Sequence, residues 1–364
     1  MKNILIAIRS IFKKGRHNVM KIVSLGIGLA VGLVLIAKVY FEQSYDDFYP
    51  DRDRVYQVWA KYQQNGGELK DYPQTSGGIA PTMQQQIPEI ETVTRYTSFG
   101  DWTFTMTDTK MKYSGRCIIA DSCFFDILPR PMLIGNAKEV LSTPMYVLVS
   151  SRIAKNIGGD VIGKNFTVDS SPGRTMTIGG VFEEVPENSH SRYDVIVSMA
   201  SAGRFMWEGS PTNMLGNDRY ISYVKLHKGV NPLALEEQVH TFVNSYFPPE
   251  EQQKTGFNIG FSFHELDGLH KELPQVKRMT WILSLLAFAL IFTAVMNYIL
   301  IVISSIVNRS KEVAVHKCYG ASENNIHGMM FGEALVHIVL SLILALLLIL
   351  AFRGTVEELL ATSL

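Results

Sequence analysis

The sequence predicts a membrane protein with an α-helical transmembrane bundle of three spans and a large α+β extracytoplasmic domain inserted between spans 1 and 2. Two observations carry this prediction. Apolar residues are concentrated near the two ends of the chain, in segments long enough to cross a hydrocarbon core of about 30 Å as helices. The segment between the first two apolar runs instead has the mixed composition of a soluble domain.

The first predicted span covers residues 22–40, which are apolar except for Ser24 and Lys38. A cleaved signal peptide is the alternative for such a segment. Because the apolar run is longer than a signal-peptide core and no small-residue cleavage pattern follows it, we expect the helix to remain as an anchor. Residues 1–21 before it are predicted to form a cytoplasmic amphipathic N-terminal helix, with a plain extension of the span as the alternative.

The second and third predicted spans lie in the C-terminal part of the chain. Residues 280–307 contain no charged side chain and give the clearest signal of a span. Residues 331–352 contain Glu333 and His337 in their first half, followed by an almost continuous run of leucine, isoleucine and alanine. Both segments are therefore predicted to cross the membrane.

Basic residues set the predicted orientation. The first 21 residues hold six lysines and arginines and no acidic residue, which by the positive-inside rule keeps the N-terminus in the cytoplasm. Alternation then places residues 41–276 outside as the extracytoplasmic domain, residues 308–328 inside as a cytoplasmic coupling loop, and residues 353–364 outside as a tail.

Five residues inside the spans are candidates for helix packing. Gly28 and Gly32 form a small-xxx-small pair that lets another helix approach closely. Asn297 can hydrogen-bond across helices. Glu333 and His337 lie four residues apart on one helical face and could pair near the cytoplasmic interface. We expect packing, rather than a proton path, from these polar groups.

The inserted segment is predicted to be mixed α+β, because short runs of β-forming residues alternate with helical stretches. The strand candidates are residues 55–60, 146–150, 175–181 and 220–226, and the helix candidates are 81–88, 151–157 and 233–246. Residues 158–164, GGDVIGK, match the core of a phosphate-binding loop. Because Asn165 stands where such a loop needs a hydroxyl for magnesium, we interpret them as a glycine turn after a helix.

The remaining composition argues against several classes of protein. The 34 basic and 34 acidic residues balance, so no net field attracts nucleic acid. Three cysteines are too few for a disulfide framework, and whether Cys117 and Cys123 pair stays open. His190 has acidic neighbours but no nucleophile at a recognisable spacing, which favours a solvated loop. We expect no catalytic site, no cofactor and no metal site.

A family signature appears at the end of the second span, where residues 294–322 are AVMNYILIVISSIVNRSKEVAVHKCYGAS. This segment resembles the FtsX-like, or MacB-like, family of ABC-transporter permeases. That family has an Asn within the helix, then Arg-x-Lys-Glu, then Lys-x-x-Gly-Ala, and the matching residues here are Asn297, then Arg309, Lys311 and Glu312, then Lys317, Gly320 and Ala321. The segments YDDFYPDRDRVYQV and GVFEEVPENSHSRYDVIVSM also resemble its periplasmic core domain.

The resemblance implies a non-enzymatic permease subunit in a bacterial inner membrane, with ATP hydrolysis in a separate ATP-binding subunit that docks on the coupling loop. It also implies a second permease copy or homologous half, lipid contacts and, in some members, a periplasmic adaptor. The family unit has a fourth helix, so three spans suggest a fragment, a truncated product or half of an assembly. The alternatives are a membrane-anchored extracytoplasmic sensor or scaffold, and an FtsX-type regulator of envelope hydrolases.

Overall fold

The computed structural model describes residues 18–308, 315, 318 and 323–360. It divides into two compact units, which we call the membrane unit (Met1–Ser44 with Glu272–Leu364) and the inserted domain (Tyr45–Lys271). In chain order the described α-helices are α1 (Asn18–Gln43), α2 (Ile79–Gln86), α3 (Phe124–Ile127), α4 (Ala137–Ser142), α5 (Ser151–Ile157), α6 (Ala202–Phe205), α7 (Glu236–Tyr246), α8 (Pro249–Thr255), α9 (Gly268–Lys271), α10 (Pro274–Asn308), α11 (Glu323–Ala351) and α12 (Arg353–Leu360).

The β-strands all belong to the inserted domain. They are β1 (Val55–Gln64), β2 (Lys70–Tyr72), β3 (Ile90–Met106), β4 (Lys112–Ala120), β5 (Met132–Ile134), β6 (Tyr146–Ser150), β7 (Asn165–Val168), β8 (Ser171–Phe182), β9 (Val195–Ser198), β10 (Ile221–Leu226) and β11 (Phe257–Glu265). Each strand candidate from the sequence overlaps one of them.

Within the membrane unit, α1, α10 and α11 are long and apolar enough to cross a membrane. The predicted fold class, three spans with a large α+β domain between the first two, is confirmed. The helices run beyond the predicted spans: α10, for example, begins at Pro274 rather than at residue 280. Apolar composition marks only the part of a helix inside hydrocarbon, whereas backbone hydrogen bonding continues into the polar interface.

Helix α1 packs against both α10 and α11, and in the described residues those two make few contacts with each other. The centre of this packing is a small cluster of Leu25, Ala294 and Tyr298. Other apolar side chains of the three helices point outward, as expected for surfaces that face lipid.

The inserted domain is built on one sheet of eleven strands, with the order β11-β1-β10-β3-β4-β9-β6-β8-β5, while β2 pairs with β1 and β7 pairs with β3 and β8. Most pairs are antiparallel, but β9 lies parallel to β4 and β6 parallel to β8. Helices α2 and α7 cover one end of the sheet and bury Met83 and Phe242 there. A second cluster, rich in aromatic rings, surrounds Tyr49, Phe124 and Tyr193.

The GGDVIGK segment forms the predicted glycine turn. Helix α5 precedes it and strand β7 follows it, the reverse of the strand-loop-helix order that a phosphate-binding loop needs. Gly158, Gly159 and Gly163 all have positive φ, and Lys164 Nζ donates to the carbonyl oxygen of Gly158 at 3.3 Å. The lysine thus stabilises its own turn.

Candidate functional site

Glycines on α1 bring the helices of the membrane unit close together. A methyl group at Gly28 would overlap the Cβ of Ala294 on α10, and one at Gly32 would overlap the side chain of Ile291. Only glycine allows this distance between the two helices. The small-xxx-small pair therefore lies in the contact between α1 and α10.

Polar groups of α11 face the same interior. Glu333 and His337 are buried on one face, and His337 Nδ1 lies 3.4 Å from the hydroxyl of Tyr298 on α10. One turn further on, Ser341 Oγ donates to the carbonyl oxygen of Ile22 on α1 at 3.1 Å. The polar face of α11 is thus in contact with both other helices.

The other sequence-predicted residues are placed differently. Asn297 is exposed on α10, and its side chain forms no hydrogen bond among the described residues. The coupling-loop residues lie outside the residues that the structure describes, as does most of the predicted N-terminal helix of residues 1–21. These loop residues are Arg309, Lys311, Glu312, Lys317, Gly320 and Ala321.

In the inserted domain, the chain that follows the first span is anchored at Asp46, whose side chain is 1% exposed. Asp46 has φ of 61°, a left-handed conformation that Asp tolerates better than most residues. Its carboxylate accepts hydrogen bonds from the Ser189 hydroxyl at 3.0 Å and from the His190 backbone N–H at 3.2 Å. Its backbone N–H donates to the carbonyl oxygen of Asn188 at 2.9 Å.

His190 connects this anchor to the sheet. Its Nδ1 lies 2.8 Å from Asp46 Oδ2, and its Nε2 lies 2.5 Å from the hydroxyl of Tyr223 on β10. Since a carboxylate only accepts, we assign the ring proton to Nδ1, so that Nε2 accepts from Tyr223. The side chain of His190 is 14% exposed, so the expected solvated loop was wrong. Burial raises the pKa of Tyr223 well above its ordinary value, which keeps this hydroxyl protonated as a donor.

The two ends of the inserted domain are fastened to each other. Lys271 Nζ lies 2.7 Å from Asp47 Oδ1 and 2.9 Å from Asp267 Oδ1, and Arg52 Nε lies 3.0 Å from the same Asp267 oxygen. The ring of Tyr45 stacks on that of His270 with centroids 3.4 Å apart. Residues 45–52 begin the domain and residues 267–271 end it, so we call these contacts the junction.

The charges of the junction shift each other's protonation. Burial alone would raise the pKa of Asp267, but the hydrogen bond from Lys271 and the charge of Arg52 hold it below its ordinary value. For Lys271, burial would lower the pKa, but Asp47 and Asp267 hold it above the ordinary value. Asp267 and Lys271 are therefore charged near neutral pH, and with Asp47 and Arg52 they form an ion-pair network.

The described residues offer no group of three or more His, Cys, Asp or Glu side chains that could hold a metal. Cys117 and Cys123 are both free thiols.

The junction and the Asp46–His190–Tyr223 chain were not found from the sequence, although YDDFYPDRDRVYQV contains Asp46, Asp47 and Arg52. The residues that they contact across the domain lie far away in the chain: His190 is 144 residues from Asp46, and Lys271 is 224 residues from Asp47. Together these contacts can hold residues 45–52, where the chain enters the domain, against residues 267–271, where it leaves, and join them to the sheet.

Two family models match the chain. The model of the MacB-like periplasmic core domain matches residues 20–242, and that of the FtsX-like permease C-terminal domain matches residues 284–364. The first covers more than half of the chain and includes Asp46, His190 and Tyr223. The second begins within α10 and continues through α11.

Solved structures resemble part of the chain. A domain of a permease-like protein from Porphyromonas gingivalis is 32% identical, with a TM-score of 0.55 over 60% of this chain and 91% of that chain. The periplasmic region of MacB from Actinobacillus actinomycetemcomitans is 15% identical, with a TM-score of 0.39 over 60% and 92%. The extracellular domain of the noncanonic ABC-type transporter YknZ from Gram-positive bacteria is 10% identical, with a TM-score of 0.41 over 57% and 98%. Among curated proteins, none matches the chain in sequence.

Proposed function

Because the chain belongs to the family of ABC-transporter-type permeases with a MacB-like periplasmic core domain and an FtsX-like permease domain, we propose that it couples ATP hydrolysis by a partner subunit to conformational work in its extracytoplasmic domain. The chain is then a non-catalytic subunit. Its work is the export or extraction of a peptide, a drug or a lipoprotein.

The observation that carries this proposal is the junction. The domain connects to α1 at Tyr45 and to α10 after Lys271, and Lys271 holds Asp47 and Asp267 together between those two points. A displacement of α1 relative to α10 is therefore applied to two segments that are already tied to each other. The Asp46–His190–Tyr223 chain then passes a displacement of the entering segment to β10, which lies within the sheet rather than at its edge.

Hydrolysis belongs to another subunit in this proposal. The nearest match to a nucleotide-binding motif, GGDVIGK, is a turn between a helix and a strand whose lysine binds its own backbone. Residues 309–321 carry the charges Arg309, Lys311, Glu312 and Lys317 between α10 and α11. We propose this segment as the docking surface for the ATP-binding subunit, with the N-terminus cytoplasmic, the large domain periplasmic and the chain in a bacterial inner membrane.

Copurification tests the docking surface. Reversing two charges, Arg309→Glu with Lys311→Glu, should abolish copurification of the ATP-binding subunit with the chain, because the contact is electrostatic. The matched control reverses Lys277 and Arg278, two basic residues at the opposite end of α10, and should leave copurification unchanged. Intact association in the first variant would contradict the docking assignment. Full activity in cells that lack ATP-binding partners would favour the sensor or scaffold alternative.

A further inference from the structure

The sheet of the extracytoplasmic domain ends at β11, which in the described part of the chain has one neighbouring strand, β1. The two strands pair in unbroken antiparallel register over all nine residues of β11. In such a ladder, alternate residues turn their backbone groups toward the neighbour and away from it. Leu266 N–H donates to the carbonyl oxygen of Val55 at 2.9 Å, so even-numbered residues face β1 and odd-numbered residues face outward.

The outward side of β11 already binds one substitute for a further strand. The N–H of Ile259 donates to Gln252 Oε1 of α8 at 3.1 Å, and this amide oxygen stands where the carbonyl of a next strand would lie. Further along, the backbone groups of Phe261 and Phe263 also face outward, and they form no hydrogen bond in the described residues. Unpaired backbone groups at a sheet edge are a template for another strand.

An apolar groove runs beside this edge. Its volume is about 790 Å³, larger than the volume of about 440 Å³ of the polar cleft near Arg116. The groove is lined by Phe261 and Phe263 of β11 together with Val239 and Val243 of α7. The side chains of β11 are only half-buried, so α7 covers them in part and leaves room for further apolar side chains.

Two charged side chains mark the ends of the free edge. On β1, Lys61 lies opposite Gly260 of β11. Glu265 ends β11 five residues after Gly260, a distance of about 17 Å at strand spacing. Both line the groove, and neither forms an ion pair of 4 Å or less with another described residue. Because Gly260 has no side chain, Lys61 can reach over it toward a strand on the far side.

We propose that this edge binds an extended polypeptide segment as an additional antiparallel strand. The segment has apolar residues opposite Phe261 and Phe263, an acidic residue opposite Gly260 and a basic residue opposite Glu265. Its backbone pairs with the outward groups of β11, its apolar side chains enter the groove, and its two charges match Lys61 and Glu265. This partner surface is independent of the ATP-driven coupling proposed above.

A synthetic peptide tests the backbone pairing. The probe is the acetylated and amidated hexapeptide Lys-Thr-Val-Thr-Val-Asp, with a fluorophore, titrated with the full chain in nanodiscs and followed by anisotropy. N-methylation of both valines removes two hydrogen bonds to β11 and should weaken binding at least about tenfold. N-methylation of both threonines blocks only the outer side of the peptide and should leave binding within about twofold. Equal affinity of the two methylated peptides would overturn the proposal.

Charge exchange tests the orientation. The double variant Lys61→Glu with Glu265→Lys reverses both charge pairs with the probe, and each reversed pair should weaken binding of the probe roughly two- to fivefold. The peptide Asp-Thr-Val-Thr-Val-Lys, in which the two charges are exchanged, should bind this variant as tightly as the probe binds the unmodified chain. Glu265 is exposed and Lys61 is half-buried, and neither belongs to the buried core, so we expect the variant to keep its fold, which its melting temperature verifies. Equal affinity of this variant for the two peptides would refute the antiparallel register. If no peptide binds saturably and the charge exchange instead dissociates dimers of the chain, the edge belongs to a second copy and the proposal fails.

Discussion

Asp46 combines two demands that few residues meet, a left-handed backbone and a buried carboxylate with three donors around it. Asp46→Asn keeps an acceptor oxygen and tolerates positive φ, whereas Asp46→Ala loses both advantages. We expect Asp46→Ala to lower the free energy of unfolding by about 2–4 kcal/mol, and Asp46→Asn by at least about 1 kcal/mol less. Denaturant unfolding of the extracytoplasmic domain, followed by tryptophan fluorescence, measures both; equal losses would show that the backbone conformation contributes nothing.

The junction should respond to acid. Because the pKa of Asp267 lies below its ordinary value, its ion pairs stabilise the fold above that value and are lost as the pH falls through the lowered pKa. We therefore expect Asp267→Asn to flatten the decline of the melting temperature between about pH 5 and pH 2.5. The control is Glu68→Gln, an exposed carboxylate without an ion pair in the described residues, which should follow the unmodified chain. An unchanged slope in Asp267→Asn would exclude this contribution.

At the scale of elements, the contact between α1 and α10 depends on the absence of side chains. Gly28→Ala would push its new methyl into Ala294, so we expect it to destabilise the chain by about 1–3 kcal/mol. The loss is measured as a lower melting temperature of the chain in detergent. Adding Ala294→Gly should restore most of the lost stability, because it removes the Cβ atom that the new methyl would overlap.

Gly332→Ala provides the matched control for that pair of variants. It adds a methyl to another membrane helix where no described atom lies within 4 Å, and it should be neutral or slightly stabilising because alanine favours helices. A loss of stability in Gly332→Ala equal to that in Gly28→Ala would mean that helix flexibility, and not close packing, explains the effect.

The elements show which parts of the structure the sequence could predict. Apolar length located α1, α10 and α11, and β-forming runs located β6 and β10, because these signals are local. The pairing of β1 with both β10 and β11 could not be predicted, since its partners lie more than 150 residues further along the chain. His190 shows the same limit: its sequence neighbours are acidic, but the carboxylate it contacts is Asp46, 144 residues away.

At the scale of the whole molecule, the ends of the extracytoplasmic domain lie side by side through the contacts of Tyr45 with His270 and of Asp47 with Lys271. The domain also has its own buried core. We therefore expect residues 45–271, expressed alone, to fold into a monomer with a single cooperative unfolding transition. Circular dichroism and size-exclusion chromatography check this; an aggregated or multistate product would show that the fold needs the membrane unit.

The central place of α1 in the membrane unit has a consequence for biosynthesis. This helix is made before α10 and α11, the helices that cover its glycine face, and those two leave the ribosome only after the intervening domain of more than 220 residues. Until then Gly28 and Gly32 face lipid or the insertion machinery. Helix α1 thus enters the membrane well before its native neighbours are made, and a protein that shields small-residue helix faces would have a long opportunity to act on it.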